Sequence, residues 1–265
     1  MDDAEHLQRA AGEFHAYRLV KTAAEKKIKF FKEEKIPYFV SSIMAGVYVG
    51  ICMIMIQVTA GMLDGFAGIK ILQGISFAAA LSLVIFAGSD LFTGNIFIIT
   101  AGVYQKSVKP FDAVIICAYC YFGNLAGSIL ITSLFWGTGL LQGAVLEAVH
   151  NAALNKTEPF FWELFVRGIL CNVLVCLAVW CSFRMQSETG KLIMIFFCIY
   201  IFIICGFEHS IANMTLFCME IISGGTSLTK MLINLGAATA GNVLGGILLA
   251  FAYWVITKKA LRQPV

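Results

Sequence analysis

Gly88-Ser89-Asp90-Leu91-Phe92-Thr93-Gly94-Asn95 and Gly206-Phe207-Glu208-His209-Ser210-Ile211-Ala212-Asn213 each interrupt a long apolar segment, and they begin 118 residues apart. The same offset carries Gly123, Asn124 and Gly127 onto Gly241, Asn242 and Gly245, and Gly50 onto Gly168. Glycine and asparagine coinciding at one offset mark an internal repeat, which has to be sought before a fold is assigned. Corresponding polar interruptions in the two halves of an apolar chain point to a transport site between them. Backbone released from helical bonding cannot face lipid, so each interruption is expected to be buried in protein or to line a water-filled path. Each also opens the amino terminus of a half-helix, where unpaired N–H groups and the helix dipole favour an anion.

The surrounding chain is that of a membrane protein. Its 265 residues are 59% hydrophobic and 13% charged, with a mean hydropathy of +0.83, far from the usage of soluble domains. No Asp, Glu, Lys or Arg occurs from Pro37 to Leu63, from Ala113 to Leu146 or from Met231 to Thr257. Each stretch reaches the ~20 apolar residues that cross a bilayer as a helix. With the polar-interrupted segments, six crossings are expected, at approximately 37–60, 71–103, 112–137, 160–183, 192–222 and 231–257. The second and fifth carry the interruptions. Three spans per repeat turn the second half over, so the halves (approximately 37–137 and 160–257) form an inverted 3+3 repeat in an all-α membrane protein.

Basic residues give the orientation. Fifteen Lys and Arg fall in residues 1–36, after span two, after span four and in the tail 258–265, against Lys70, Lys156 and Lys230 on the other side. Both termini are therefore expected in the cytoplasm. Residues 1–36 lack the apolar stretch of a secretory signal, so the mature chain is expected to begin at Met1. In that segment Leu7, Ala11, Phe14, Ala24, Ile28 and Phe31 recur at near-helical spacing among lysines, the pattern of an interfacial amphipathic helix. All nine cysteines, including the pair Cys117 and Cys120, sit in apolar stretches and read as small buried hydrophobes rather than as a disulfide framework or a metal site.

The strings GSDLFTGN and GFEHSIANM, with PYFVSSIMAGVYVG, RGILCNVLVCLAVW and YFGNLAGS, resemble the formate/nitrite transporter family from about residue 20 to residue 257, and are nearest its nitrite-channel branch. That resemblance implies a homopentamer in a bacterial inner membrane, with an aquaporin-like fold and one pore through each protomer. The permeants would be small monovalent anions of weak acids (nitrite, formate or hydrosulfide) together with protons. No cofactor, metal, nucleic acid or catalytic activity is implied.

His209 is the one histidine inside an expected span, and an ionisable residue at a break within the membrane is a functional candidate by default. The family places its pore histidine here, and an unperturbed pKa near 6.5 suits proton exchange with a passing anion. By resemblance, Thr93 matches the threonine facing that histidine from the other repeat, and Leu81, Phe92 and Phe202 match apolar constrictions, with Phe77 and Val175 one turn away. Apolar necks reject hydrated ions by dewetting. Lys156 matches a lysine that works with Glu208 and Asn213 to attract the anion. Glu208 would repel an anion if exposed and charged, so it is expected to be held by Lys156 or by backbone N–H groups. Asn172 is counted with the pore residues, although its amide, like Asp90, Asn95, Asn124 and Asn242, reads as tying down backbone and packing helices. Segment 1–36 is expected at the cytoplasmic mouth, 37–257 to form the channel and 258–265 to form a cytoplasmic tail.

An aquaporin-like channel for neutral solutes shares the 3+3 architecture, but it predicts paired Asn-Pro-Ala motifs. None of the four prolines follows an asparagine. A membrane enzyme would need acids, bases or metal ligands gathered at one depth, and one histidine with Glu208 and Asp90 is a thin set.

Overall fold

The computed structural model describes residues 3–225 and 227–257, without the side chains of residues 3–11 and 13. The helices are α1 (Asp3–Glu33), α2 (Lys35–Met62), α3 (Ile69–Phe77), α4 (Ala79–Phe86), α5 (Phe92–Tyr104), α6 (Pro110–Gly137), α7 (Gly143–Thr157), α8 (Phe161–Arg184), α9 (Glu188–Ile204), α10 (Ser210–Ile222) and α11 (Leu228–Thr257). Among the described residues there is no strand. Among the described residues five segments are long and apolar enough to cross a membrane: α2, α3 with α4, α6, α8 and α11. Aromatic side chains such as Phe111, Phe122, Trp136, Phe160, Trp162 and Phe251 are exposed around them, a perimeter suited to lipid rather than water.

The expected second and fifth spans are each divided. Helix α4 stops at Phe86 and α5 starts at Phe92; α9 stops at Ile204 and α10 starts at Ser210. The stops are local and chemical. Gly88 and Gly206 adopt φ of +74° and +70°, the left-handed conformation that glycine enters without steric cost. Ser89 N–H then reaches back to Val84 O at 3.0 Å, and Phe207 N–H to Phe202 O at 3.0 Å, the six-to-one bond that closes a helix after a left-handed residue.

Helices α5 and α10 have 13 residues each, about 20 Å at 1.5 Å per residue and too short for a ~30 Å hydrocarbon layer. Residues 92–99 and 210–217 are all buried. Helix α5 packs on α1, α6, α8 and α11, whereas α10 packs on α2, α6, α7 and α11. Close approach around them depends on absent side chains. A Cβ on Gly127 would overlap Ile43 O of α2, and one on Gly245 would overlap Ile169 O of α8.

Helix bounds recur along the chain. Both ends of α10 lie 118 residues after those of α5, and α11 starts 118 residues after α6, whereas α8 starts 126 after α2. Backbone bonds keep the second offset: Asp90 N–H meets Ser41 O at 3.4 Å, and Glu208 N–H meets Arg167 O at 3.3 Å. The coincidence of Gly50 with Gly168 is therefore not an equivalence. The residue placed like Gly168 is Ser42, and a longer α2, a longer α2–α3 connection and one extra residue in α3–α4 together account for the eight-residue difference.

Two helices lie outside the six expected segments. Helix α7, which the sequence reading left as a connection, packs on α2, α10 and α11. Helix α1 lies chiefly against α5, α8 and α11, and its Ala16, Tyr17, Val20, Ala24 and Phe31 are buried, Phe31 edge-on to Tyr38 of α2 and Tyr119 of α6. Of the expected stripe, Ala24 and Phe31 are buried and Phe14 and Ile28 half-buried. The side chains of Leu7 and Ala11, and the whole tail 258–265, fall outside the described residues.

Candidate functional site

The amino termini of α5 and α10 meet near the middle of the bundle, each held by an asparagine from a long helix. Asn124 Oδ1 accepts from Phe92 N–H at 2.9 Å, while its Nδ2 donates to Ser42 O at 2.7 Å and Asp90 O at 2.9 Å. Asn242 Oδ1 accepts from Ser210 N–H at 2.9 Å, while its Nδ2 donates to Gly168 O at 2.9 Å and Glu208 O at 2.8 Å. Four backbone groups at the breaks, Phe92 N–H, Asp90 O, Ser210 N–H and Glu208 O, are thus satisfied by two side chains, which also bond to carbonyls inside α2 and α8.

Thr93 Oγ1 and His209 Nε2 face each other at 3.1 Å, both buried. His209 caps α10: its Nδ1 accepts from Ala212 N–H at 3.1 Å. An amide can only donate, so Nδ1 is bare and the neutral ring carries its hydrogen on Nε2, aimed at Thr93. Asn172 positions Thr93 by donating to its carbonyl at 3.2 Å, and donates also to Asn242 O. On one side of His209 the Phe202 ring stacks at a centroid distance of 5.8 Å and 14° between planes, with Phe77 edge-on to Phe202 at 6.0 Å. The Phe202 and Phe77 rings thus place apolar surface beside the buried, hydrogen-bonding Thr93–His209 pair.

Lys156 from α7 reaches Glu208 Oε2 at 3.0 Å, and Asn213 and Asn234 donate to the same oxygen. Glu208 is 2% exposed, so its charge is neutralised within the protein. The other break has a counterpart that the sequence reading missed. Lys27 of α1 pairs with Asp90, which also accepts from Ser41 at 2.9 Å and from Asn95 at 3.2 Å. Asn95 donates in turn to Tyr38 Oη. Lys27 stands in a run with Lys26 and Lys29, and nothing local distinguishes it. Asn234 likewise sits in an unremarked stretch of α11.

The expected residues are thus divided among four places. His209, Thr93 and Phe202 converge, with Asn172 behind Thr93; Lys156, Glu208 and Asn213 form one cluster. Leu81 lines a separate cavity of about 240 Å³ with Lys27, Leu91 and Asn95. Phe92 turns away from both, its ring 5.0 Å from that of Tyr121, and lines a groove between α5, α6 and α11. Leu91, its neighbour, occupies the cavity instead. Val175 is buried in α8.

A family model described as formate/nitrite transporter matches residues 15–255. The nitrite transporter NirC of Escherichia coli (strain K12) is 40% identical over 230 residues, 85% of this chain and 85% of NirC. Among solved structures, an FNT family ion channel superposes with a TM-score of 0.86 at 35% identity, covering 91% of this chain and 98% of that one. A pentameric formate channel with formate bound superposes with a TM-score of 0.68 at 27% identity, covering 89% and 98%.

Proposed function

The chain belongs to the formate/nitrite transporter family, and from that premise we propose that it conducts nitrite or formate, with hydrosulfide as a third permeant of like charge, across a bacterial cytoplasmic membrane. One pore runs through each protomer of a homopentamer. Spans α2, α3–α5 and α6 and spans α8, α9–α10 and α11 form the two inverted, aquaporin-like repeats, broken at 87–91 and 205–209. The Lys and Arg bias puts both termini inside. Residues 1–36 then lie at the cytoplasmic mouth, 37–257 form the channel and 258–265 the tail.

The observation that carries this reading is the 3.1 Å contact of Thr93 with His209 across two half-helix amino termini. Their donors are already oriented when an anion arrives between Phe202 on one side and Leu81 with Leu91 on the other. An unpaired charge there is costly, whereas a protonated weak acid is neutral and passes cheaply. His209 can donate a hydrogen bond from Nε2 as it stands. To surrender that proton and remain neutral, the ring needs a hydrogen on Nδ1, the position occupied by the Ala212 amide. Proton exchange therefore goes with release of this cap, which makes the first turn of α10 the moving part.

Liposome flux of nitrite, formate and hydrosulfide over a pH series tests the proposal, and no flux of any of the three would end it. In mild detergent the protein should have a mass of about five times 29.0 kDa before detergent is counted. Light scattering that returned one or four copies would remove the pentamer.

Lys156→Ala should slow uptake and also destabilise the protein, because it strands the buried Glu208 carboxylate. Adding Glu208→Gln should restore the melting midpoint but not the flux. The flux deficit should shrink with salt as the Debye length falls from ~10 Å at 0.1 M to ~3 Å at 1 M. Full flux in the double variant would assign Lys156 to stability alone.

A further inference from the structure

The groove that Phe92 borders has a volume of about 510 Å³ and is walled by Ile96, Ile99 and Val103 of α5, Val114 of α6, and Val243 and Ile247 of α11. It runs from Phe92, at the first break, to Tyr104 and Pro110. Phe92 to Tyr104 is the whole of α5, about 18 Å at 1.5 Å per residue and close to half of a ~30 Å hydrocarbon layer. Beside Phe92 the hydroxyls of Tyr121 and Thr239 pair with each other at 3.2 Å, so they require nothing of an occupant. The other end leads into the connection 105–109, where Lys106 and Lys109 are exposed. Lys106 has a φ of +59°, and every other positive φ among the described residues belongs to a glycine. It closes α5, with Ser107 N–H reaching Gly102 O at 2.9 Å, a place where glycine would adopt the left-handed conformation free of steric cost. A lysine held there against its backbone preference points to a use for its charge. Four carboxylates on this side, Glu25, Glu33, Asp112 and Glu188, are each paired with another lysine.

We propose that this groove holds an acyl chain of an anionic phospholipid from the cytoplasmic leaflet, with the lipid phosphate at Lys106 and Lys109. The inference goes beyond conduction and takes from the channel reading only the orientation in the membrane. A groove one leaflet long, apolar along its walls and basic at one rim, matches a lipid tail and its headgroup. A helix of a second copy would cover the walls but would bring none of those four carboxylates free to the lysines. Tyr104 packs at the same end against Trp254 at 5.6 Å and Phe251 at 6.0 Å, aromatic rings of the kind that sit at headgroup level. Each basic residue beside the membrane surface favours anionic lipid by about fivefold.

Native mass spectrometry of the intact oligomer, titrated in detergent with phosphatidylglycerol or phosphatidylcholine, tests the site without reading transport, so its failure and that of the channel reading are separate outcomes. Phosphatidylglycerol should bind at one molecule per protomer and at a concentration lower by about tenfold or more, from two lysines at about fivefold each. Lys106→Gly combined with Lys109→Gln should bring the two lipids level, with a melting midpoint at or above wild type because glycine suits the left-handed position. Ala118→Trp, which fills the groove from an exposed position, should weaken the binding of both lipids. Equal binding of the two lipids to wild type, or an undiminished preference in the lysine variant, overturns the proposal. So does an Ala118→Trp protein that binds lipid as wild type does, or one that folds but falls into single protomers, which would give the groove to a second copy. Phosphatidylglycerol with a photoreactive acyl chain tests wild type alone. Its cross-links should fall within residues 92–104, 110–122 and 239–247, and cross-links confined to other segments overturn the proposal.

Discussion

His209→Phe in an intact oligomer should reduce anion flux to the leak of empty liposomes at every pH. The substitution keeps an aromatic ring next to Phe202 but removes the Nε2 donor facing Thr93 and the Nδ1 acceptor of the α10 cap. A hydrogen bond to a charged group contributes about 1.5–3 kcal/mol, a factor of roughly 10 to 150 in rate if it acts only on the permeating anion. Loss of the imidazole removes the neutral route as well. His209→Asn is the informative companion. Asparagine is a good amino-terminal cap and can still hydrogen-bond, so the oligomer should remain stable and some flux should survive, with a pH dependence different from that of wild type. Wild-type rates and pH profile in a well-assembled His209→Phe protein would exclude His209 from conduction.

The largest stability effect should come from Asn242→Leu. Leucine has similar bulk but leaves Ser210 N–H and Glu208 O without their partner and loses the bond to Gly168 O, a carbonyl inside α8. Each buried backbone group left unsatisfied costs about 1–3 kcal/mol, so a loss of about 2–6 kcal/mol is expected. Thermal unfolding in detergent measures it. Asn242→Asp, which keeps the acceptor for Ser210 but not the two donated bonds, should fall between leucine and wild type. Equal midpoints for all three proteins would mean that the break is held by something other than this amide.

The periodic features of the fold were legible because they are written as composition. Long charge-free stretches mark α2, α6 and α11, and the glycine–asparagine coincidences overlap the gaps at 87–91 and 205–209 while running four residues into α5 and α10. Helix α7 was not legible: residues 143–157 are neither a hydrophobic span nor a strongly patterned surface helix, and their helicity comes from packing on α2, α10 and α11. The repeat offset reads as uniform because the extra residues, spread over α2, its connection to α3 and the α3–α4 segment, leave no signature in the residues that do align. The chemistry of a carboxylate beside an anion path leaves Lys156 and backbone N–H groups as alternative partners of Glu208, with Lys156 singled out by the family resemblance, and the structure has Lys156. Lys27 was not, since choosing one lysine among eight amino-terminal basic residues requires knowing which face of α1 meets Asp90. The direction of Phe92 was also beyond sequence. Leu91 and Phe92 are adjacent apolar residues at a helix start, and only the phase of α5 decides which of them borders the Lys27 cavity.

The wrapping of α5 and α10 by helices from distant parts of the chain has a consequence for biosynthesis. Helix α5 packs on α11, yet Leu228 follows Tyr104 by 124 residues (228 − 104), or about 6–25 s at a ribosomal rate of roughly 5–20 residues per second. For that interval the nascent chain holds a 13-residue helix that is too short to cross the membrane alone and has no complete lodging among the spans already inserted. The clasp of the first break, Asn124, arrives early, but the wall formed by α11 arrives last. A chain interrupted between residues 104 and 228 therefore holds α5 without its α11 wall, so the order of translation puts the completion of that packing at the end of synthesis.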